Sequence, residues 1–210
     1  MDAPLILLSV FGIFIPALML PGPDFIGVVR SSMTGGTKSG LLTTLGVSIG
    51  LLMYATLSLL GLSAILVQYE WLAWTIRIAG ASYLIYLGLR FIFAKPTKMD
   101  IEKTLKKPAR NALLFGFTVT MTNPKAVVLF SSVFATAVTA ETPIWLLILM
   151  ITLVFLSSLI WYTIVSLFMS SRPVVSRFAR LRHRIEQAAG VCFVAIGGKL
   201  LVDARNPLIP

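Results

Sequence analysis

The sequence predicts an all-α membrane protein with six transmembrane helices, arranged as two inverted three-helix repeats in which helices one and four are broken. Hydrophobic residues make up 57% of its 210 residues and charged residues only 12%, with a mean hydropathy of +0.91. A globule of this length has too little interior to hide so much apolar surface. Two uncharged runs, 39–69 and 142–171, each exceed the roughly 20 residues that a helix needs to cross the hydrocarbon core, and they lack the alternation of barrel strands.

Hydrophobic stretches place the six spans along the chain. They cover residues 4–29, 40–67, 71–93, 111–138, 143–169 and 185–202. The third and sixth spans have short uncharged cores, at 78–89 and 187–198. We therefore expect the flanking Arg77, Arg90 and Lys199 to snorkel to the membrane surface or to face a polar interior.

Basic residues are distributed unevenly between the two sides of the predicted membrane. Most of the 18 lysines and arginines follow spans one, three and five, whereas the opposite loops carry Glu70 and Glu141 and no basic residue. The positive-inside rule makes the basic side cytoplasmic and places both termini outside. The net charge of +10 is therefore an orientation signal, and we predict no nucleic-acid partner.

Two proline-containing breaks interrupt the first and fourth spans at corresponding positions. The first is Pro21-Gly22-Pro23-Asp24 and the second is Asn123-Pro124-Lys125. At a shift of 101 residues, Pro23 aligns with Pro124 and Asp24 with Lys125. Paired breaks are typical of secondary transporters, and three spans per half force the second half into the opposite orientation. We expect a first repeat at 1–94, a cytoplasmic linker at 95–110 and a second, inverted repeat at 111–210.

Spans three and six extend the repeat, because glycine and aromatic positions match between them. At a shift of 110 residues, Gly80 aligns with Gly190 and Tyr83 with Phe193. Two Gly-x-x-x-Gly spacings, 36–40 and 46–50, predict close helix packing in the membrane. Between spans five and six, apolar positions at 174, 178, 181 and 185 among several arginines predict a short amphipathic helix on anionic lipid headgroups.

The breaks themselves indicate a pocket. Pro21 and Pro23 cannot donate backbone hydrogen bonds, so they leave carbonyl and amide groups without helical partners. Irregular backbone at membrane depth is tolerated only where it is buried in protein or lines a wet cavity. The same argument applies around Asn123, whose amide offers donors and an acceptor.

Asp24 and Lys125 are the charges that lie well inside their spans, and such charges indicate a functional site. Three interpretations are open: a structural ion pair between the halves, two residues that snorkel near the cytoplasmic mouth, or a site that binds a zwitterionic amino acid. In the third, Asp24 attracts an ammonium and Lys125 a carboxylate. Asp24 is also the candidate carrier of a coupling proton.

Four features resemble the hallmark motifs of the LysE/RhtB amino acid exporter family. They are Pro21-Gly-Pro-Asp-Phe25, Gly35-Gly36, Gly80-x-x-Tyr83-Leu84-x-x-Leu87-Gly88 and Asn123-Pro124-Lys125-Ala126. Asp24 and the run 125–134 are most similar to the homoserine and threonine efflux branch. The resemblance implies export of a small neutral amino acid across the bacterial cytoplasmic membrane, driven by the proton gradient.

Site residues follow from the breaks and from this resemblance. The expected substrate-binding residues are Pro21, Gly22, Pro23, Asp24, Asn123, Pro124 and Lys125. The residues expected to line a pathway are Arg30, Ser31, Ser131, Ser132, Tyr83, Tyr86 and Tyr162.

Other protein classes fit the composition poorly. One histidine, one cysteine and one deep aspartate are a poor set for a transition-metal site, and Cys192 alone cannot form a dithiol relay. Asp24 alone lacks the nucleophile and base, or the second aspartate, of an intramembrane hydrolase. We therefore predict no enzyme, metal or cofactor. Export of another amino acid class or a cation, a structural membrane protein, and assembly into a homo-oligomer remain open.

Overall fold

The computed structural model describes residues 3–61, 70–94, 111–123, 125–126, 129–130, 142–168 and 172–205. Within these ranges the chain forms six α-helices and one π-helical turn, and no strand. The helices are α1 (Ala3–Met19), α2 (Pro23–Thr56), α3 (Glu70–Ile92), α4 (Ala112–Met121), α5 (Ile144–Phe168) and α6 (Arg172–Arg205). The π-helical turn Leu57–Gly61 follows α2, and 125–126 and 129–130 are helical. The all-helical prediction is confirmed for these residues.

Two of these helices are long and apolar enough to cross a membrane. One runs from Pro23 through the π-helical turn to Leu60, and the other is α5. The surface of α5 supports the membrane interpretation, because apolar side chains such as Ile148 and Ile160 are exposed while Ser158 and Ser166 are fully buried. A helix that turns its hydroxyl groups inward and its apolar groups outward is expected in lipid and not in water.

The first two spans are joined differently from the sequence prediction. The expected connection at 30–39 is helical in α2, apart from Gly36, whose φ of 73° and ψ of 178° break the helix. Glycine adopts this left-handed φ without steric cost. The packing predicted for the 36–40 spacing holds for Gly40, which lies against Ser166 of α5, and not for Gly36, where a Cβ would meet nothing within 4 Å. The residue changes the chain direction instead.

The sixth helix also differs from its prediction. A separate amphipathic helix before residue 185 was expected, but α6 continues without interruption from Arg172 to Arg205. Pro173 lies in its first turn, where a missing N–H costs no helical bond, and no later proline or kink ends the helix. Arg90 and Lys199 are both exposed, in agreement with snorkelling. The linker, and 62–67 and 131–138 of the predicted spans, lie outside the described residues.

Small residues let the helices approach closely. A Cβ on Gly46 of α2 would collide with the Leu113 carbonyl of α4, and one on Gly116 of α4 would collide with the Thr43 carbonyl of α2. Gly88 of α3 and Gly190 of α6 face each other in the same way, with a Cβ at either only 2.6–2.7 Å from the other's carbonyl oxygen. The packing predicted for the 46–50 spacing therefore occurs between α2 and α4. The first break lies at the start of α2, and the second break follows the end of α4.

We expect Gly46→Val to destabilise the protein by about 1–3 kcal/mol, because the new side chain must push the α4 backbone away. Thermal unfolding in detergent micelles measures the effect. Gly12→Ala is the matched control, since Gly12 is exposed and nothing lies within 4 Å of its added Cβ. Equal unfolding temperatures for the two variants would contradict this packing.

Candidate functional site

The break after α1 presents a carboxylate at the start of α2. Gly22 is the N-cap of α2, Pro23 follows it, and Asp24 lies in the first helical turn. The Ile26 N–H donates to the Gly22 carbonyl at 3.0 Å and closes this turn. The partial positive charge of a helix N-terminus stabilises an anion there, so the start of α2 is a favourable position for a carboxylate.

Two donors from the second half of the chain hold the Asp24 carboxylate. Thr120 Oγ1 donates to Oδ1 at 3.0 Å, and Asn123 Nδ2 donates to Oδ2 at 2.9 Å. Asp24 is only 7% exposed, so its charge depends on these hydrogen bonds. Hydrogen bonds among the side chains of Asp24, Thr120 and Asn123 thus connect the first break to the second.

Asn123 organises the second break. Its own N–H donates to the Thr120 carbonyl at 3.0 Å, and its Oδ1 accepts from the Lys125 N–H at 3.1 Å. The Ala126 N–H donates to the Asn123 carbonyl at 3.0 Å. One amide side chain therefore caps the helical residues that follow and at the same time donates to Asp24.

Lys125 completes the arrangement from the opposite side. Its Nζ donates to the Ala17 carbonyl at 2.7 Å. In a continuous helix this carbonyl would accept from the N–H of residue 21, but Pro21 has none. The ammonium also suits the partial negative charge at the carboxyl end of α1. Each charged side chain is thus held by neutral groups of the opposite half.

The Tyr54 hydroxyl replaces a helical hydrogen bond that is lost at the second break. In a continuous helix the Met121 carbonyl would accept from the Lys125 N–H, but that N–H donates to Asn123. The Tyr54 hydroxyl donates to Met121 instead, at 2.9 Å. Tyr54 thereby connects α2 to the end of α4.

We expect Tyr54→Phe to destabilise the protein by about 1–3 kcal/mol, because the Met121 carbonyl loses its donor. The measurement is the unfolding temperature of the purified protein. Tyr86→Phe is the control, since Tyr86 is 56% exposed and its ring contact with Tyr83 survives the change. The same unfolding temperature for Tyr54→Phe and the parent would show that this hydroxyl is unimportant.

A small cavity joins the two breaks. Its lining residues are Phe14, Ala17, Leu18, Asp24, Leu51, Asn123, Lys125, Ala126, Leu129, Phe130 and Tyr162. The cavity volume is about 20 Å³, which is room for about one water molecule. It combines an apolar wall with both charged groups, and it must widen before it can hold any larger ligand.

The other predicted site residues lie in different places. Tyr162 is buried and lines the cavity, and Ser31 is buried in α2. Arg30 is partly buried, with its guanidinium 5.2 Å from the centre of the Phe115 ring. Tyr83 and Tyr86 lie on α3 and are absent from the cavity wall. Pro124, Ser131 and Ser132 lie outside the described residues.

Three residues of this region were not predicted from the sequence. Thr120 precedes Asn123 by three residues, a spacing that puts both on one helix face, and this was the available signal. Glu186 is buried in α6, and its charge acts on Lys125. The role of Tyr54 has no sequence signal. Among the described residues, no group of three or more His, Cys, Asp or Glu side chains is placed to hold a metal ion.

Known proteins that are similar to this chain include two amino acid efflux proteins and a membrane protein. The chain is 30% identical to the threonine efflux protein of Escherichia coli strain K12, over 95% of this chain and 98% of that protein. It is 29% identical to the leucine efflux protein of Klebsiella pneumoniae, over 87% and 88% of the two chains. An uncharacterized membrane protein of Haemophilus influenzae is 29% identical over 98% of both chains. No solved structure is significantly similar to the chain.

The family comparison covers both breaks. The model of the family described as "LysE type translocator" matches residues 15–204, a range that contains Asp24, Asn123 and Lys125. The resemblance noted in the sequence is thereby confirmed. The protein is a membrane protein and a transporter, not an enzyme, and it belongs to the LysE type translocator family.

Proposed function

We propose that this chain exports small neutral amino acids, of the threonine and homoserine kind, and that they bind between Asp24 and Lys125. The observation that carries the proposal is one cavity with a carboxylate and an ammonium on its wall. A zwitterionic amino acid offers the opposite charge to each group. The hydrogen bonds to both side chains come from neutral groups, so each charge can also attract an oppositely charged group of a ligand.

The names of the relatives support the same substrate class. Threonine and leucine are both neutral amino acids, and the proteins named for their efflux match this chain over most of its length. The cavity wall adds apolar groups such as Leu51 and Phe130, which suit a small side chain without charge. We therefore favour neutral amino acids over basic or acidic ones.

We further propose the inverted repeat, with broken helices one and four and with halves at 1–94 and 111–210 joined by a linker at 95–110. Contacts between the repeat-related segments support it. Around the breaks, Ala17 contacts Lys125 and Asp24 contacts Thr120, so the two segments run in opposite directions.

The other two repeat-related pairs have the same antiparallel arrangement. Gly40 and Thr44 of α2 lie against Ser166 and Tyr162 of α5. In α3 and α6, residues 81 and 88 lie against residues 197 and 190. A two-fold axis in the membrane plane produces antiparallel pairs of this kind.

The proposed location is the bacterial inner membrane, with both termini outside and the basic loops in the cytoplasm. This orientation predicts that a protease added to the periplasmic side of spheroplasts cannot reach the linker at 95–110, which contains several lysines. Cleavage in the linker from that side would reverse the proposed orientation.

Proton antiport is the proposed driving reaction, with Asp24 as the proton carrier. Efflux from proteoliposomes should therefore accelerate when a proton gradient is imposed in the productive direction. An efflux rate that does not respond to the gradient would remove this part of the proposal.

The test of the function is efflux of a panel of labelled amino acids from loaded proteoliposomes. We expect the parent to export one or more neutral amino acids and Lys125→Met to lose at least about tenfold in rate, because a buried charged contact with the substrate carboxylate is lost. Lys199→Met is the matched control, since Lys199 is exposed on α6. Lack of efflux of every amino acid by the parent would end the proposal.

A further inference from the structure

The Ala17 carbonyl at the end of α1 is a binding position for an ammonium group. Pro21 has no N–H to donate to it, and the Lys125 ammonium is 2.7 Å away. A Cβ on Gly22 would lie 3.6 Å from the same Nζ atom. The ammonium therefore lies in the gap between α1 and α2, beside the backbone of the break.

Resting on the proposed export of amino acids, we propose that the Ala17 carbonyl is the subsite for the substrate's ammonium, and that the Lys125 ammonium occupies this subsite while no substrate is bound. A substrate's α-ammonium has the same charge and the same three N–H donors as the lysine ammonium. Both match the partial negative charge at a helix carboxyl end.

The surroundings of the subsite favour a cation with N–H groups. Asp24 and Ala17 lie on the wall of the same cavity, so a cation at Ala17 shares this space with a carboxylate. Glu186 is buried in α6 and its charge also acts on this position. The Asp24 carboxylate and the carboxyl end of α1 thus border the space that the Lys125 side chain fills.

Substrate binding is then an exchange of partners. The substrate's ammonium replaces Lys125 at the Ala17 carbonyl, and the released Lys125 turns on its flexible stem to the substrate's carboxylate. This exchange agrees with the cavity volume of about 20 Å³, because Lys125 fills the space that the ligand needs. It makes Lys125 both the occupant of the empty site and the carboxylate partner in the loaded one.

The test replaces the lysine ammonium by a small free one. The full-length Lys125→Ala variant, purified in nanodiscs, loses the donor to Ala17 and should unfold at a lower temperature than the parent. Ethylammonium chloride should raise the unfolding temperature of the variant by about 2–4 °C and leave the parent unchanged. Tetramethylammonium chloride has the charge but no N–H, so it should change neither protein.

An equal response of parent and variant to ethylammonium, or an equal effect of tetramethylammonium, would overturn the subsite. Should Lys125→Ala fail to fold, the yield of folded protein purified with and without ethylammonium becomes the readout. A higher yield with ethylammonium supports the subsite, and an unchanged yield contradicts it.

A second measurement uses the parent alone. The N-trimethylated derivative of the exported amino acid retains its carboxylate but cannot donate to Ala17, so it should compete at least tenfold less well for efflux. Equal competition would contradict the subsite. These results are separate from the proposed function, since rescue by ethylammonium without amino acid efflux leaves the subsite intact, and efflux without rescue leaves only the function intact.

Discussion

Asp24→Asn is expected to lower amino acid efflux at least about 30-fold while the protein still folds. The substitution preserves the size of the side chain and its acceptor for Thr120, but it removes the negative charge opposite the substrate's ammonium. Truncating one partner of a buried charged pair costs about 2–5 kcal/mol, and each 1.4 kcal/mol is a factor of ten. In the parent, the Asn123 NH₂ group donates to Asp24 Oδ2. In the variant, this NH₂ group faces the new NH₂ group and loses its acceptor.

Initial efflux rates from proteoliposomes, normalised to folded protein, measure this effect. Thr120→Ser is the control, because it retains the hydroxyl that donates to Asp24 at 3.0 Å. We expect its rate to stay within a few-fold of the parent. Efflux by Asp24→Asn at the parent rate would exclude the carboxylate from the binding site and from proton coupling.

Asn123→Asp is the second substitution with a large expected effect. It removes the donor that lies 2.9 Å from Asp24 and puts a second carboxylate against the first. Loss of a hydrogen bond to a charged group costs about 1.5–3 kcal/mol, which corresponds to a decrease of about 3–12 °C in unfolding temperature for a chain of this size. Efflux should fall at least tenfold, because Asp24 no longer has its partner.

Asn111→Asp is the matched control for this change. Asn111 caps α4 by accepting from the Leu114 N–H at 3.0 Å, and aspartate caps a helix equally well. Asn123 also accepts from a backbone N–H, at Lys125, so the two variants differ in the lost donor to Asp24. Similar unfolding temperatures for both variants would contradict the bond between the two halves.

The break after α1 and the depth of its charge were predictable from local chemistry. Pro21 and Pro23 remove helical donors wherever they occur, and Asp24 is conspicuous in an uncharged stretch. The partners of Asp24 were only partly predictable. Asn123 belongs to the second proline motif, whereas Thr120 is a neutral residue in a helix and acquires its role only when α4 packs against α2.

Differences in helix boundaries have a similar origin. Residues 30–39 carry two basic residues and were expected to form a loop, but lysine and arginine are good helix formers, and only Gly36 interrupts α2.

Glu186 was not predicted as a site residue because it lies at the start of the sixth span, where charges are common. Its proximity to Lys125 depends on how α6 packs across the molecule, which a single sequence does not encode locally.

The most direct test of the account is an experimental structure of the protein in a lipid nanodisc with its exported amino acid bound. The account predicts that the amino acid lies between the two breaks, with its carboxylate on the Lys125 ammonium and its ammonium between Asp24 and the Ala17 carbonyl. An amino acid bound elsewhere, with Lys125 still on Ala17, would contradict it.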